Sequence, residues 1–238
     1  MDIKNSDIPL YEQYAEKFRR MILNNEYKVG DKFPVEMELA KKYGVARITI
    51  RTAINELVEE GLLVRKRAKG TFVTEPKIER EFVNVASFTE RMQSRGIKAS
   101  AKCHSINKIK ADAKLSKRLQ IEEGKEVVEI VRIRLTDGKP VALERSYLPS
   151  YLFPGIENED LENNSLYRLL ESKYSIRPGH SSKTLELTRA TLKEAQLLNT
   201  TASASLFLLL GIVFSEENQV MEYVESLFLG DRFRFQVY

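Results

Sequence analysis

The chain has no tryptophan, one cysteine and two histidines among its 238 residues. The lone Cys103 excludes an internal disulfide framework and any multi-cysteine zinc site, and it fits a reducing compartment. His104 and His180 leave little material for imidazole catalysis or metal ligation. No Ser-His-Asp, Cys-His or metal-ligand spacing stands out, so neither an enzyme centre nor a metal or other cofactor is expected. Long apolar runs are missing too. The longest, Leu206 to Phe214, spans nine residues including Gly211, whereas a membrane helix needs ~20. It reads instead as a buried strand. The start, MDIKNSDIPLYEQY, is polar and acidic, without the apolar core of an export signal. A soluble, cytoplasmic protein with no membrane partner is the expectation.

Charge of one sign is also scarce overall: 38 Lys+Arg against 34 Asp+Glu give a net of +4. The distribution is more telling. Residues 1–39 carry 6 basic and 8 acidic side chains, net −2; residues 40–78 carry 9 and 4, net +5; residues 79–238 carry 23 and 22, net +1. The basic excess is confined to one short segment, as expected of an element that reads DNA.

Periodicity locates the elements. Leu10, Tyr14, Phe18 and Ile22 recur every four residues and predict an amphipathic helix over about 9–24. A short helix follows at 36–43, with Glu36 and Glu38 at its positive end and Gly44 after it. A third, at 46–60, turns Ile50, Ala53, Ile54 and Leu57 inward and sets Arg47, Arg51 and Asn55 on another face. Beyond Gly61 the period changes to that of strands. Leu62-Leu63-Val64 and Thr71-Phe72-Val73 flank a basic tip, Arg65-Lys66-Arg67-Ala68-Lys69-Gly70. Three helices and a β-hairpin make a winged helix-turn-helix over residues 1–75.

Residues 76–86 read as a charged linker, and residues 87–238 as a second, α+β domain on a largely antiparallel sheet. The expected helices are 87–95, 112–119, 165–173 and 191–198, the last opened by a Thr191/Glu194 capping box. The expected strands are 100–109, 126–136, 140–147, 181–189, 205–215, 219–229 and 232–238. Asp137-Gly138 signals a tight hairpin between two of them.

A helix-turn-helix presents the start of its second helix to base edges in the major groove. Here that start is Arg47, whose guanidinium can fork onto guanine O6 and N7. Thr49 and Arg51 are placed to hold phosphates. The wing cations Arg65, Lys66, Arg67 and Lys69 can follow the backbone, with Gly70 letting the tip approach the minor groove. Each basic residue taken alone also fits an ordinary solvated face; their order along the chain favours DNA.

Four stretches carry a resemblance: Pro34-Val35-Glu36-Met37-Glu38-Leu39-Ala40, Val45 through Ala53, Glu60-Gly61-Leu62-Leu63 and Gly70-Thr71-Phe72-Val73. In this order they resemble the GntR family of bacterial transcription regulators over residues 8–74. The resemblance implies a DNA-facing set of Glu36, Arg47, Thr49, Arg51, Arg65, Lys66, Arg67, Lys69 and Gly70. Members commonly have Arg where Met37 stands, and many have Gly-x-Gly at the wing tip.

The second domain resembles the UTRA effector domain of the HutC subfamily, whose fold is similar to chorismate lyase. The carrying residues are Ser87-Phe88-Thr89-Glu90-Arg91-Met92 with Arg95-Gly96, Arg132-Ile133-Arg134, Pro140 through Glu144, and Gly230 through Phe235. Several relatives that keep them sense phosphorylated sugars or amino sugars. Independently, Ser87, Phe88 and Thr89 open a helix whose free N–H groups and hydroxyls suit an anion. Arg132 and Arg134 are two apart on one strand, hence on one face, and can clamp a phosphate. Glu144 comes from the hairpin partner strand and Ser165 opens another helix. Glu222 and Phe228 enter by resemblance, with Tyr usual at the latter position. Alternatives stay open: Arg132 and Glu144 also fit an exposed cross-strand ion pair, Ser87 a plain N-cap, and Tyr167 helix-packing core.

The expectation is a DNA-binding repressor, homodimeric on palindromic double-stranded operator DNA. Its operator affinity is set by a small phosphorylated sugar or amino sugar in the C-terminal domain. The alternative is the same regulator sensing a non-phosphorylated metabolite; a lyase-like enzyme is remote, since fold similarity is not activity.

Overall fold

The computed structural model describes residues 8–74, 77–81, 88–93, 96–162 and 164–236. The chain forms two compact units, Met1–Ile78 and Glu79–Tyr238.

In the first unit, helices α1 (Leu10–Leu23), α2 (Glu36–Tyr43) and α3 (Arg47–Glu59) precede the hairpin strands β1 (Leu63–Lys66) and β2 (Gly70–Val73). The apolar stripes predicted from the four-residue spacing are the core. Tyr14, Phe18 and Ile22 of α1 pack with Leu39, Ile50, Ile54 and Leu57, all buried. Phe33, on the segment joining α1 to α2, closes this core edge-on against Phe18, ring centres 5.6 Å apart. Its N–H donates to the Thr71 carbonyl and the Val73 N–H to that of Asp31, so this segment rides along β2 as a rudimentary third strand. Burying a side chain as large as Phe18 or Phe33 contributes about 1.5–3 kcal/mol each, enough for a small head to hold its reading helix firmly.

The second unit is built on six antiparallel strands in the order β4-β5-β6-β9-β8-β7. They are β4 (Ala99–Lys110), β5 (Glu126–Thr136), β6 (Lys139–Pro149), β7 (Pro178–Arg189), β8 (Ser205–Ser215) and β9 (Val220–Leu229). Asp137 and Gly138 have φ of +48° and +77°, the paired positive values of a tight hairpin turn between β5 and β6. The apolar run Leu206–Phe214 is indeed a strand, β8, paired on both sides.

Alternation divides the sheet. One face carries Val128, Ile130, Leu148, Val213 and Val224, covered by the 3-10 turn Ile156–Asn158 and helix α6 (Leu166–Tyr174). The other carries Val131, Ile133, Leu143 and Leu227 beneath α7 (Leu192–Leu197), with α5 (Ala113–Leu119) packed further along on Val127 and Tyr223. The Thr191/Glu194 capping box opens α7 with both reciprocal hydrogen bonds.

One expectation needs correcting. The stretch 76–86 is not open linker throughout: where described, it forms β3 (Ile78–Glu81), paired with β10 (Phe233–Gln236). Its charges conceal a strand in which Ile78 is buried and Arg80 packs on an aromatic ring. Cys103 is half-buried on β4, beside a bulge where the register shifts. The helix expected at 87–95 is described as α4 (Phe88–Gln93); Ser87 lies outside the described residues.

Candidate functional site

Each unit presents a candidate site among the described residues. In the first, residues 44–46 join α2 to α3, and Arg47 is the first residue of α3. Its inward positions Ile50, Ala53, Ile54 and Leu57 are buried, which turns Arg47, Ile48 and Arg51 outward. Thr49 is half-buried. Glu36 connects the separate parts of this surface. One oxygen accepts from Arg47 Nε at 3.0 Å and the other from Arg65 Nη2 at 3.4 Å. The start of α2, the start of α3 and the wing strand are thereby tied together. Glu36 thus holds the Arg47 and Arg65 side chains in place on this surface.

The wing carries Arg65, Lys66, Arg67 and Lys69, all exposed, with the Lys66 ammonium over the Phe72 ring at 4.9 Å. Gly70 ends the tip at φ +114°, and a Cβ there would lie 2.9 Å from Lys32 Cε. Only glycine takes that conformation without strain. Ala68, where many relatives have the first glycine, is held at φ +61°, a strained value for alanine.

In the second unit a cavity of about 50 Å³ opens on the sheet face beneath α6. Strand pleating explains its lining. Arg132 and Arg134 on β5 point to the same side, Glu144 lies directly across from Arg132 on β6, and Ser226 lies across from Glu144 on β9. Glu222, Tyr167, Phe88, Lys183 and Arg80 complete the polar and aromatic walls. The Glu144 Oε1 accepts from Arg132 Nη2 at 2.6 Å and from Arg134 Nη2 at 2.7 Å. Both readings of the Arg132–Glu144 pair therefore hold at once: it is a cross-strand ion pair, and it lies in a cavity, with Arg132 only 1% exposed.

Burial alone would raise the Glu144 carboxyl, but Arg134 and Arg132 override it and hold it down at about 2. Burial, with Arg132 beside it, lowers Arg134 from the usual guanidinium value. Glu222, 2% exposed, is pushed up, chiefly by burial and further by the Glu144 charge. The Tyr167 hydroxyl donates to it at 2.7 Å. Among the described residues, the buried donors Arg132 Nε and Arg134 Nε and Nη1 have no hydrogen-bond partner. Orphan donors of that kind cost free energy unless something accepts from them. Among the described lining residues, four cations (Arg80, Arg132, Arg134, Lys183) stand against two carboxylates (Glu144, Glu222), a formal +2.

Of the sequence-predicted effector residues, Phe88, Arg132, Arg134, Glu144, Tyr167 and Glu222 line this cavity. Thr89 is half-buried on α4 outside the lining. Ser165 is spent capping α6, its hydroxyl accepting from the Arg168 N–H. Phe228 stands behind the wall, its ring 4.4 Å from the Arg80 guanidinium. Arg80 and Lys183 were missed. Arg80 sits in what reads as linker. Lys183 is a lone lysine on a strand of alternating polarity, with no sequence signal to single it out.

A basic winged helix-turn-helix joined to a sheet domain with a cationic, incompletely satisfied cavity defines a ligand-responsive DNA-binding regulator. Comparison with known proteins gives the same answer. Residues 10–73 match the family of bacterial regulatory proteins, gntR family, and residues 94–234 match the UTRA domain. The chain is 33% identical over 235 residues, 99% of its length and 96% of the relative's, to the HTH-type transcriptional repressor NagR of Bacillus subtilis. It is 30% identical to the mannosyl-D-glycerate transport/metabolism system repressor MngR of Escherichia coli, over 95% and 94% of the two chains. The crystal structure of PhnF from Mycobacterium smegmatis superposes with a TM-score of 0.78 at 30% identity, covering 94% of this chain and 97% of that one. The chain belongs to the GntR family, in its HutC/UTRA subfamily. It is a transcriptional repressor of the GntR/UTRA type, which binds DNA and a small-molecule effector, and not an enzyme. Among the described residues no helix is long and apolar enough to cross a membrane.

Proposed function

We propose that the effector is a small phosphorylated sugar or amino sugar, that it binds in the cavity of the second unit, and that binding lowers affinity for the operator. The observation that carries this is the pair of buried guanidiniums, Arg132 and Arg134, with three N–H donors between them that have no partner among the described residues. A phosphate monoester brings a charge of about −1.5 to −2 at neutral pH and three acceptor oxygens. It therefore matches both the +2 lining and the donors that the protein leaves unmet. Glu144 and the Glu222–Tyr167 pair supply acceptors for hydroxyl or amino groups of the sugar.

At about 50 Å³ the cavity has space for a few water molecules or one anionic group. In this reading the phosphate sits at the buried guanidiniums and the sugar extends toward the open side of the pocket, and the ligand favours one arrangement of the domain over another. Such differential affinity is the requirement for regulation. The DNA-contacting residues in this reading are Arg47, Thr49, Arg51, Arg65, Lys66, Arg67, Lys69 and Gly70, with Glu36 holding Arg47 and Arg65 in place. One reading helix covers a half-site, so a homodimer on a palindromic operator follows. As a regulator of this kind it acts in the bacterial cytoplasm.

Isothermal titration of the intact chain with a hexose 6-phosphate, an amino-hexose 6-phosphate and their unphosphorylated parents tests the ligand class. Binding confined to the phosphorylated compounds, and lost in Arg134→Ala, is the expected result. Equal binding of an unphosphorylated parent would transfer the assignment to a non-phosphorylated metabolite.

A further inference from the structure

Of the exposed apolar side chains beside Glu36, Arg47 and Arg65, the two most exposed are Met37 and Ile48, and packing does not explain them. Ile48 follows Arg47 at the start of α3 and is 65% exposed; Met37 follows Glu36 at the start of α2 and is 70% exposed. Ile48 is no displaced core residue. The core stripe of α3 is fully occupied by Ile50, Ala53, Ile54 and Leu57, and Ile48 stands on the opposite side, between the outward Arg47 and Arg51. Met37 lies on the same connected surface, because Glu36 beside it bonds both Arg47 and Arg65. Both apolar groups are thus set among Arg47, Arg51 and Arg65, cations that suit a polyanion and not an apolar protein partner.

In the major groove only one apolar group marks base identity, the C5-methyl of thymine. We propose that Ile48 and Met37 read thymine methyls, so that each operator half-site has thymines flanking the base pair recognised by Arg47. Without DNA these side chains stay in water; against a methyl group they are covered, and DNA lacking the methyl forfeits that burial. Arg47 supplies guanine recognition by hydrogen bonds, and the two apolar residues add discrimination at neighbouring positions where a hydrogen-bonding side chain is absent.

The operator is first recovered by selection from randomised duplex DNA with the intact chain. Each thymine in the selected site is then replaced by deoxyuridine, which differs only in lacking the methyl. One buried methyl is expected to be worth about fourfold in affinity, and the symmetric double replacement in a palindromic site roughly fifteenfold. Ile48→Ala should abolish the deoxyuridine effect at one position and Met37→Ala at another, each leaving the other intact. Both positions are exposed, so the variants should fold as the parent does, checked by thermal melting. Met37→Arg should change the selected base near its position toward guanine. If no deoxyuridine replacement next to the Arg47-dependent base pair weakens binding, or if the effect persists in both alanine variants, the proposal is overturned, while DNA binding itself stands.

Discussion

Glu144→Gln removes the single carboxylate that holds Arg132 and Arg134 at 2.6 and 2.7 Å. Glutamine keeps the shape and an acceptor oxygen but removes the carboxylate bonded to both buried guanidiniums, leaving only the more distant Glu222 as counter-charge. In the native protein the Glu144 carboxyl is held at about 2, against an ordinary value of 4.5. That difference corresponds to about 3 kcal/mol of folding stability. It is the size expected for breaking a buried ion pair by removing one partner. In a domain of this length it should lower the melting temperature by about 6–12 °C. A carboxyl with a depressed folded value contributes stability that is complete above about pH 4.5 and is lost as the pH falls toward 2. The gap between parent and variant should therefore be widest near neutrality and close through that acid window. Chemical denaturation followed by circular dichroism from pH 7 down to 2 measures it. Excess inorganic phosphate should recover more stability in the variant than in the parent, because the uncompensated charge it meets is larger. A variant as stable as the parent, or a gap that does not change with pH, would refute the assigned role of Glu144.

Glu222 should behave in the opposite sense. Burial raises its carboxyl, so ionising it above its unfolded value costs stability as the pH rises. Glu222→Gln should be more stable than the parent at neutral pH and equal to it in acid, by the same denaturation series. Arg47→Ala should weaken operator binding by about 1–3 kcal/mol and relax the base preference at one position, read by anisotropy on point-substituted duplexes. Gly70→Ala should cost about 1–3 kcal/mol from its positive φ, the flexible end of Lys32 being free to move aside. The loss should appear as weaker DNA binding with α1–α3 still folded, checked by melting and binding in parallel.

The reading head was almost fully legible because its signals are local. The four-residue spacing of Leu10, Tyr14, Phe18 and Ile22, the turn at Gly44 and the basic hairpin each lie within a few residues of what they specify. The sheet order and the cavity were legible only in part, since they depend on partners far apart in sequence. Pleating predicted that Arg132 and Arg134 share a face, and the Asp137-Gly138 turn placed Glu144 opposite. Nothing local in the residues themselves says that Tyr167 reaches Glu222 across 55 positions, or that Lys183 joins the same wall. Arg80 was hidden by its neighbours: Lys77, Glu79 and Glu81 make the segment look solvated. The strand becomes apparent only once Phe228 and β10 supply its packing. Ser165 shows that a hydroxyl at a helix start also serves its own helix, accepting from the Arg168 N–H.

The central claim is that a phosphorylated ligand held by Arg132 and Arg134 releases the protein from DNA. Fluorescence anisotropy of a labelled operator, titrated with a hexose 6-phosphate, an amino-hexose 6-phosphate and their unphosphorylated parents, tests it most directly. The account predicts that a phosphorylated sugar weakens operator binding by the parent protein, that the unphosphorylated sugars do not, and that Arg134→Ala binds the operator normally but no longer responds. Release by an unphosphorylated sugar alone, or an undiminished response in Arg134→Ala, would contradict it.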